Sequence, residues 1–132
     1  MLNRGLAGLV AMLGAGFLSL ATLAPTQRAE SPGDAGRGQE LWEALCTGCH
    51  ALDQNQIGPR HRGVYGRRAG SLADYEYSPA LKASDIVWSE DTLDRWLTDP
   101  EALVPGQKMG FTVSRPEDRA AIIAYLKSLN AP

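Results

Sequence analysis

Apolar and polar positions divide the start of the chain into two segments. Residues 5–24 contain no charged side chain and are rich in leucine, alanine and glycine, and Arg4 is the only charge before them. A basic start, an apolar run and a small-x-Ala site at residues 19–21 are typical of a secretory signal peptide. About 20 uncharged residues can also just span a bilayer, so an uncleaved N-terminal anchor is the alternative for residues 1–24. Residues 25–33 form a polar linker without apolar periodicity.

The remainder, residues 34–132, is predicted to be one all-α domain. Apolar residues recur at helical spacing, and N-cap residues precede them. The predicted helices run from Asp34 to about Cys46, from Ser78 and Pro79 to about Ala83, from Ser89 to Pro100, and through the apolar positions between Ile122 and Leu129. Ser114 and Glu117 are expected to form a capping box around Pro116 at the start of the last helix. Long loops with glycine and proline separate the helices, and loops of that length usually serve a function.

Composition restricts the class of protein. The chain has 132 residues, of which 44% are hydrophobic and 21% charged, and this suits one globular domain behind an export segment. The formal net charge of −2 argues against a nucleic-acid-binding protein, which is normally basic. Two cysteines are too few for a disulfide-rich scaffold.

Both cysteines belong to a C-x-x-C-H motif, formed by Cys46, Cys49 and His50. Two thiols one helical turn apart can each form a thioether with a haem vinyl group, and the adjacent histidine then lies under the iron. A thioredoxin-like dithiol lacks its strand–helix context here. A zinc site would need His61 as fourth ligand and lacks the usual spacing, and a plain disulfide leaves His50 unexplained. The motif favours one covalently attached haem over these three alternatives.

A haem iron has a sixth coordination position, and Met109 is the leading candidate for it. Met109 is the only methionine outside the first 24 residues, and it lies in a loop with proline and glycine at residues 104–111. A lone methionine more often fills a core, but a thioether in such a loop can reach a flat cofactor, and His/Met pairs are an established haem ligation. His61 is the other candidate, although such a histidine is more often a plain loop residue.

The ordered set of motifs resembles the class I c-type cytochromes of the short-chain mitochondrial and bacterial type, over nearly all of residues 34–129. Besides the C-x-x-C-H motif, the set comprises Gly58 and Pro59, residues 66–70, Tyr75 and Tyr77, Trp88, residues 105–111 and residues 123–126. The resemblance implies a class I cytochrome c fold, with three to five helices around one covalently bound haem. In that fold the N- and C-terminal helices cross, and the resemblance brings Gly38 and Trp42 against Ile122 and Tyr125.

The resemblance also implies a role for each site residue. His50 and Met109 would be the axial ligands, and the carbonyl of Pro59 would accept a hydrogen bond from the free imidazole nitrogen. Phe111 would shield the exposed haem edge. Three donors are implied for the haem propionates, namely Arg67, Tyr77 and Trp88.

The chain departs from the family pattern in its pocket and on its surface. Trp96 stands at the position of a tyrosine that bonds the methionine sulfur, Leu81 replaces an asparagine, Gln107 replaces a threonine, and His61 replaces an apolar residue. These changes are expected to alter the reduction potential. Positions that resemble a lysine ring around the haem edge carry Glu40, Leu45 and Glu101 instead. We therefore expect a mixed or weakly charged docking face.

The implied function is that of a soluble one-electron carrier and not of an enzyme. The carrier would cycle between Fe(II) and Fe(III), linking a respiratory, photosynthetic or dehydrogenase donor to a terminal oxidase or reductase. A periplasmic monomer is expected, docking transiently at the haem edge on membrane redox complexes or a periplasmic dehydrogenase, with a membrane anchor facing the periplasm as the alternative. A peroxidase or gas-binding protein would need Met109 displaced, and a dedicated subunit of one dehydrogenase stays open.

Overall fold

The helices of the domain are short and separated by long loops. The computed structural model describes residues 34–130, so the predicted signal peptide or anchor and the linker lie outside the described residues. The helices are α1 (Ala35–Leu45), α2 (Pro79–Ala83), α3 (Glu90–Thr98), α4 (Pro100–Leu103) and α5 (Pro116–Ser128). Extended pairing in this range is limited to one isolated antiparallel bridge between Arg68 and Val87. None of the described helices is long and apolar enough to cross a membrane.

Three predicted helix starts are confirmed by the side chains that cap them. The carboxylate of Asp34 caps α1, and the hydroxyl of Ser78 caps α2 with Pro79 following at the first helical position. Ser89 caps α3 in a capping box with Thr92. Each of these side chains accepts from backbone amides that have no partner within the first turn of the helix. Local sequence therefore fixes where α1, α2 and α3 begin.

The capping box predicted at Ser114 and Glu117 is wrong. The N-cap of α5 is Arg115, one residue later, and no side chain caps this helix end. Pro116 stands at the first helical position, where an amide would have no partner within the helix. The amide of Asp118 donates to the carbonyl of Arg115 at 3.1 Å and has no side-chain cap. The Glu117 carboxylate instead accepts from the Arg115 guanidinium, with Nε and Oε1 2.8 Å apart.

The predicted end of α3 before Pro100 is confirmed, but the same proline also opens α4, a short helix that was not predicted. Asp99 separates the two helices and caps the second, its carboxylate accepting from the amide of Ala102 at 3.0 Å. Four residues are too few to show a helical period, so only the Asp-Pro pair could have indicated α4.

Helices α1 and α5 cross with their backbones almost in contact at Gly38. A Cβ atom on this buried glycine would lie 2.0 Å from the carbonyl oxygen of Ala121 and 2.9 Å from the Cβ of Tyr125. One turn further along α1, the ring of Trp42 packs against that of Tyr125 at 5.9 Å between centroids. The predicted crossing is confirmed, with Ala121 next to Ile122 as the backbone partner of the glycine.

A buried arginine on α5 ties the second half of the fold together. Arg119 Nε donates to Asp94 on α3 at 2.7 Å. Its Nη1 donates to the carbonyls of Val113 and Ser114, each at 3.0 Å. A guanidinium stays charged when buried and has several donors. Movement of an acceptor away from Arg119 would therefore leave a buried charged donor without a partner. Arg119 thereby fixes the end of the loop that leads into α5.

We expect Gly38→Ala to destabilise the folded protein by about 1–3 kcal/mol or more, because the added methyl group meets backbone that cannot rotate away. Chemical denaturation measures this. Gly36→Ala is the matched control on the same helix, because its Cβ would come no closer than 3.2 Å, to a carboxylate oxygen of Asp34 that can rotate. Equal losses in the two variants would contradict the close crossing.

Candidate functional site

The sequence-predicted site residues meet at one cavity of about 590 Å³. Its walls are mostly apolar and come from the end of α1, the loops that follow it, and parts of α3 and α5. Each residue singled out from the motifs lines it, namely Cys46, Cys49, His50, Pro59, Arg67, Tyr77, Trp88, Met109 and Phe111. The fold therefore gathers residues more than 60 positions apart, from Cys46 to Phe111, around one space.

The C-x-x-C-H motif forms a turn that continues from α1. The amides of Cys49 and His50 both donate to the carbonyl of Cys46, at 3.1 and 2.9 Å. Cys46 is buried, Cys49 is exposed, and both are free thiols. Burial, and next the neighbouring Cys49, raise the pKa of Cys46 to about 11. A raised pKa leaves little thiolate on Cys46, so this thiol is not activated as the attacking cysteine of a thioredoxin-like dithiol would be.

The zinc alternative is not supported either. Within residues 34–130, no three histidine, cysteine, aspartate or glutamate side chains are grouped so that they could hold a metal ion.

The ring of His50 is held on two sides. Its Nδ1 lies 2.7 Å from the carbonyl oxygen of Pro59, the hydrogen bond that the sequence led us to expect. Gly58 lies against the ring, and a Cβ there would come within 2.2 Å of a ring carbon. Since the carbonyl can only accept, Nδ1 carries the proton and Nε2 is left with its lone pair for a ligand. Burial lowers the pKa of His50, which favours the neutral imidazole that a metal needs.

His61 is the residue whose role the sequence interpretation missed. It is not a plain loop residue, because its Nδ1 accepts from the indole Nε1 of Trp42 at 2.8 Å. Its ring stacks on that of His50, with centroids 4.0 Å apart and planes at 26°. Burial, and then the neighbouring His50 and Arg67, hold the pKa of His61 well below its usual range, so the ring is neutral.

The stacking also argues against His61 as the sixth iron ligand. The two axial ligands of a haem lie on opposite faces, and a ring stacked on His50 belongs to the same side as His50. The sequence offered one signal, a histidine at a position where the resemblance implies an apolar residue.

Met109 reaches the cavity from the loop between α4 and α5, and its side chain is half-buried. Nearby, Trp96 packs edge-on against Trp88 with centroids 5.2 Å apart, and both indoles are buried. Leu81 is buried at the cavity wall. Two of the departures from the family pattern, Trp96 and Leu81, are therefore apolar wall residues.

Arg67 is a half-buried cation of the cavity wall. Its guanidinium donates to the carbonyls of Arg60 at 2.9 Å and Arg62 at 3.2 Å. The other arginines of this basic segment are paired with aspartates in the pairs Arg60–Asp74, Arg62–Asp53 and Arg68–Asp85. The segment is thus balanced by local acids, and Arg67 alone of the four lines the cavity.

The donor set and the walls fit a haem. A neutral imidazole nitrogen and a thioether sulfur suit an iron porphyrin, two free thiols suit its vinyl groups, and an arginine suits a propionate. Buried leucines and valines, among them Leu93, Leu97 and Val64, suit the faces of an apolar macrocycle.

The family model for cytochrome c matches residues 35–130. The chain belongs to the cytochrome c family. Cytochrome c of Gossypium barbadense is 39% identical over 104 residues, which cover 76% of this chain and 94% of that protein. Cytochrome c2 iso-2 of Magnetospirillum fulvum is 46% identical over 88 residues, covering 64% and 92%. Among solved structures, cytochrome cH from Methylobacterium extorquens superposes with a TM-score of 0.69 at 44% identity, covering 73% of this chain and 99% of that one.

These findings confirm the predicted class I cytochrome c fold. Members of this family are electron-transfer proteins that bind haem c covalently, and they are not enzymes. This cytochrome is accordingly a one-electron carrier, with Cys46 and Cys49 at the spacing for the two thioether links.

We expect Trp42→Phe to lower the stability of the haem-loaded cytochrome by about 1–3 kcal/mol, because it leaves the ring nitrogen of His61 without its donor. A double-mutant cycle tests this by chemical denaturation. It compares the wild type with Trp42→Phe, His61→Leu and the double variant. The same tryptophan change should cost clearly less when residue 61 is leucine. Equal costs in both backgrounds would mean that the indole contributes through its volume alone.

Proposed function

We propose that this cytochrome carries its haem between His50 and Met109 as axial ligands and exchanges electrons at the cavity mouth beside Phe111. The observation that carries the proposal is the meeting of these two side chains at one cavity, with His50 already oriented by Pro59. When bound, haem supplies an Fe(II)/Fe(III) couple for one electron. With side chains at both axial positions there is no open position for a substrate.

The residues of the chain keep such a site rigid and dry. Pro59 fixes the tautomer of His50, and Gly58 and His61 lie against its ring. Three polar side chains of the wall would bind the propionates, because buried carboxylates require hydrogen-bond donors. These donors are Arg67, Tyr77 and Trp88. Little movement of the protein is then needed when the charge of the iron changes.

The cavity mouth is the proposed docking face, and it is largely apolar. Three of the exposed large hydrophobic side chains line the cavity, with exposures of 40% for Leu45, 77% for Ile57 and 42% for Phe111. Lys108 is the exposed cation among the described lining residues. A surface of this kind fits a partner with an apolar and weakly charged dock, whose association depends little on salt.

The cellular location and the partners of the cytochrome are inferred from residues 1–24 and from the chemistry of the haem site. Residues 1–24 have the pattern of an export signal, so we propose a periplasmic monomer, with retention of the segment as a membrane anchor as the alternative. Its partners are a respiratory, photosynthetic or dehydrogenase donor and a terminal oxidase or reductase. The polar linker, residues 25–33, would give an anchored domain room to reach both.

We expect Met109→Ala to abolish the near-infrared charge-transfer band of Met-ligated ferric haem and to let carbon monoxide bind the ferrous iron readily. Absorption spectra of the purified haem-loaded protein measure both. Leu103→Ala is the matched control. Leu103 is half-buried at the C-terminal end of α4, before the loop that contains Met109, and it does not line the cavity. A wild-type protein without the band, or a Met109→Ala variant that keeps it, would rule out the proposed ligation.

The docking face can be tested with the cytochrome as its own partner, by measuring electron self-exchange from NMR line widths. We expect wild-type self-exchange to change little between low and moderate salt. Ile57→Lys should slow self-exchange several-fold at low salt, since two added like charges meet, and salt should restore part of the rate.

Val87→Lys is the control for self-exchange, because Val87 is 49% exposed but does not line the cavity. It adds the same charge and should leave the rate nearly unchanged. Equal slowing by both lysines would show that the position of the added charge does not matter and that Ile57 does not belong to the contact.

A further inference from the structure

A chain of polar contacts joins α4 to the residue proposed as the sixth iron ligand. The carboxylate of Glu101 accepts from the amide of Gly106 at 2.9 Å and from the side-chain amide of Gln107 at 3.3 Å. The side-chain carbonyl of Gln107 in turn accepts from the backbone amide of Met109. We call these contacts of Glu101 and Gln107 the bracket. It connects a helix end to the backbone of Met109 through one glutamine side chain.

The bracket begins at a tight turn that the sequence dictates. Pro105 and Gly106 are the central residues of a turn closed by the amide of Gln107 donating to the carbonyl of Val104 at 3.1 Å. Gly106 has φ +85°, the left-handed conformation that such a turn requires at its second central residue. In this turn type the amide of Gly106 points outward, where the Glu101 carboxylate accepts from it.

Beyond the turn, the backbone around Met109 makes few other hydrogen bonds. Among the described residues, the amide of Met109 is the only one in residues 108–112 that donates a hydrogen bond. The next anchor is Val113, whose amide donates to the carbonyl of Leu97 at 2.7 Å and whose carbonyl is held by Arg119. The bracket therefore restrains the middle of a segment whose two ends are fixed independently.

We infer that Glu101 and Gln107 are positioning residues that keep Met109 at the iron, an inference that rests on the ligation proposed above. Release of a thioether from iron requires the backbone of Met109 to move away, and this motion breaks the bracket. A hydrogen-bond network that includes a charged acceptor shifts such an equilibrium by on the order of tenfold. Because Val104, Val113 and Arg119 hold the ends of the segment, loss of the bracket affects local release far more than global unfolding.

The test compares Glu101→Ala, Gln107→Ala and the double variant, using imidazole as an external ligand of the ferric haem-loaded protein. Each single variant should raise the apparent affinity for imidazole about tenfold, since methionine release limits binding. The double variant should show little more than the larger single effect, because both residues belong to one connected bracket. The midpoint of global chemical denaturation should stay close to that of the wild type.

Two matched controls separate the bracket from charge and from truncation. Glu40→Ala removes one exposed acid on α1 and so changes the net charge as Glu101→Ala does. Thr112→Ala truncates an exposed side chain of the same segment that does not line the cavity. Both should leave imidazole affinity within about twofold of the wild type, whereas a tenfold effect in either would assign the result to charge or to general loosening and overturn the inference.

Failure of the inference and failure of the ligation give different results. If the wild-type ferric protein lacks the charge-transfer band of Met-ligated haem, the ligation fails and the inference falls with it. If the band is present and both Glu101→Ala and Gln107→Ala bind imidazole as the wild type does, only the inference is overturned. A loss of global stability that matches the gain in imidazole affinity would reduce Glu101 and Gln107 to structural residues and would likewise overturn it.

Discussion

The cavity of about 590 Å³ at the centre of the domain is the constraint on which the rest of the structure depends. The helices are 4 to 13 residues long, too short to be stable by themselves, and those around the cavity turn apolar side chains into it. The contact at Gly38 closes the first helix on the last, and a covalently attached haem completes the apolar core between them. Cofactor attachment and folding of this small domain are consequently coupled.

The two sides of the haem site are held by different physical means. Around His50 the supports are short-range and specific, a carbonyl at 2.7 Å, a glycine in ring contact and the stacked ring of His61, which Trp42 orients from α1. Around Met109 the supports are hydrogen bonds among exposed or half-buried side chains in a loop. Tightly packed contacts resist motion more than solvent-exposed hydrogen bonds do. With the proposed ligation, ligand exchange would therefore take place on the side of Met109.

Local features of the sequence sufficed for the starts of three helices, for the C-x-x-C-H motif and for Met109, whereas the family resemblance supplied the other predicted residues around the cavity. Asp34, Ser78 and Ser89 cap helices through contacts with amides two or three residues away, so short sequence windows contain the information. The capping box at Ser114 could not be rejected from the pattern alone, because the choice between Ser114 and Arg115 depends on where the chain enters the helix. The role of His61 depends on Trp42, 19 positions earlier, and only the folded loop brings the two rings together.

The surface charges of this cytochrome contribute little to the approach of a partner. With 13 basic and 15 acidic residues the chain carries little net charge, and Arg60, Arg62 and Arg68 are balanced by aspartates. No strong field therefore guides a partner toward the mouth. Electrostatic steering raises association rates, whereas apolar contact mainly slows dissociation and needs complementary shape. The exposed side chains of Leu45, Ile57 and Phe111 supply that apolar contact. Recognition at the proposed docking face would accordingly depend on how well a partner fits the mouth, and its rate would change little with ionic strength.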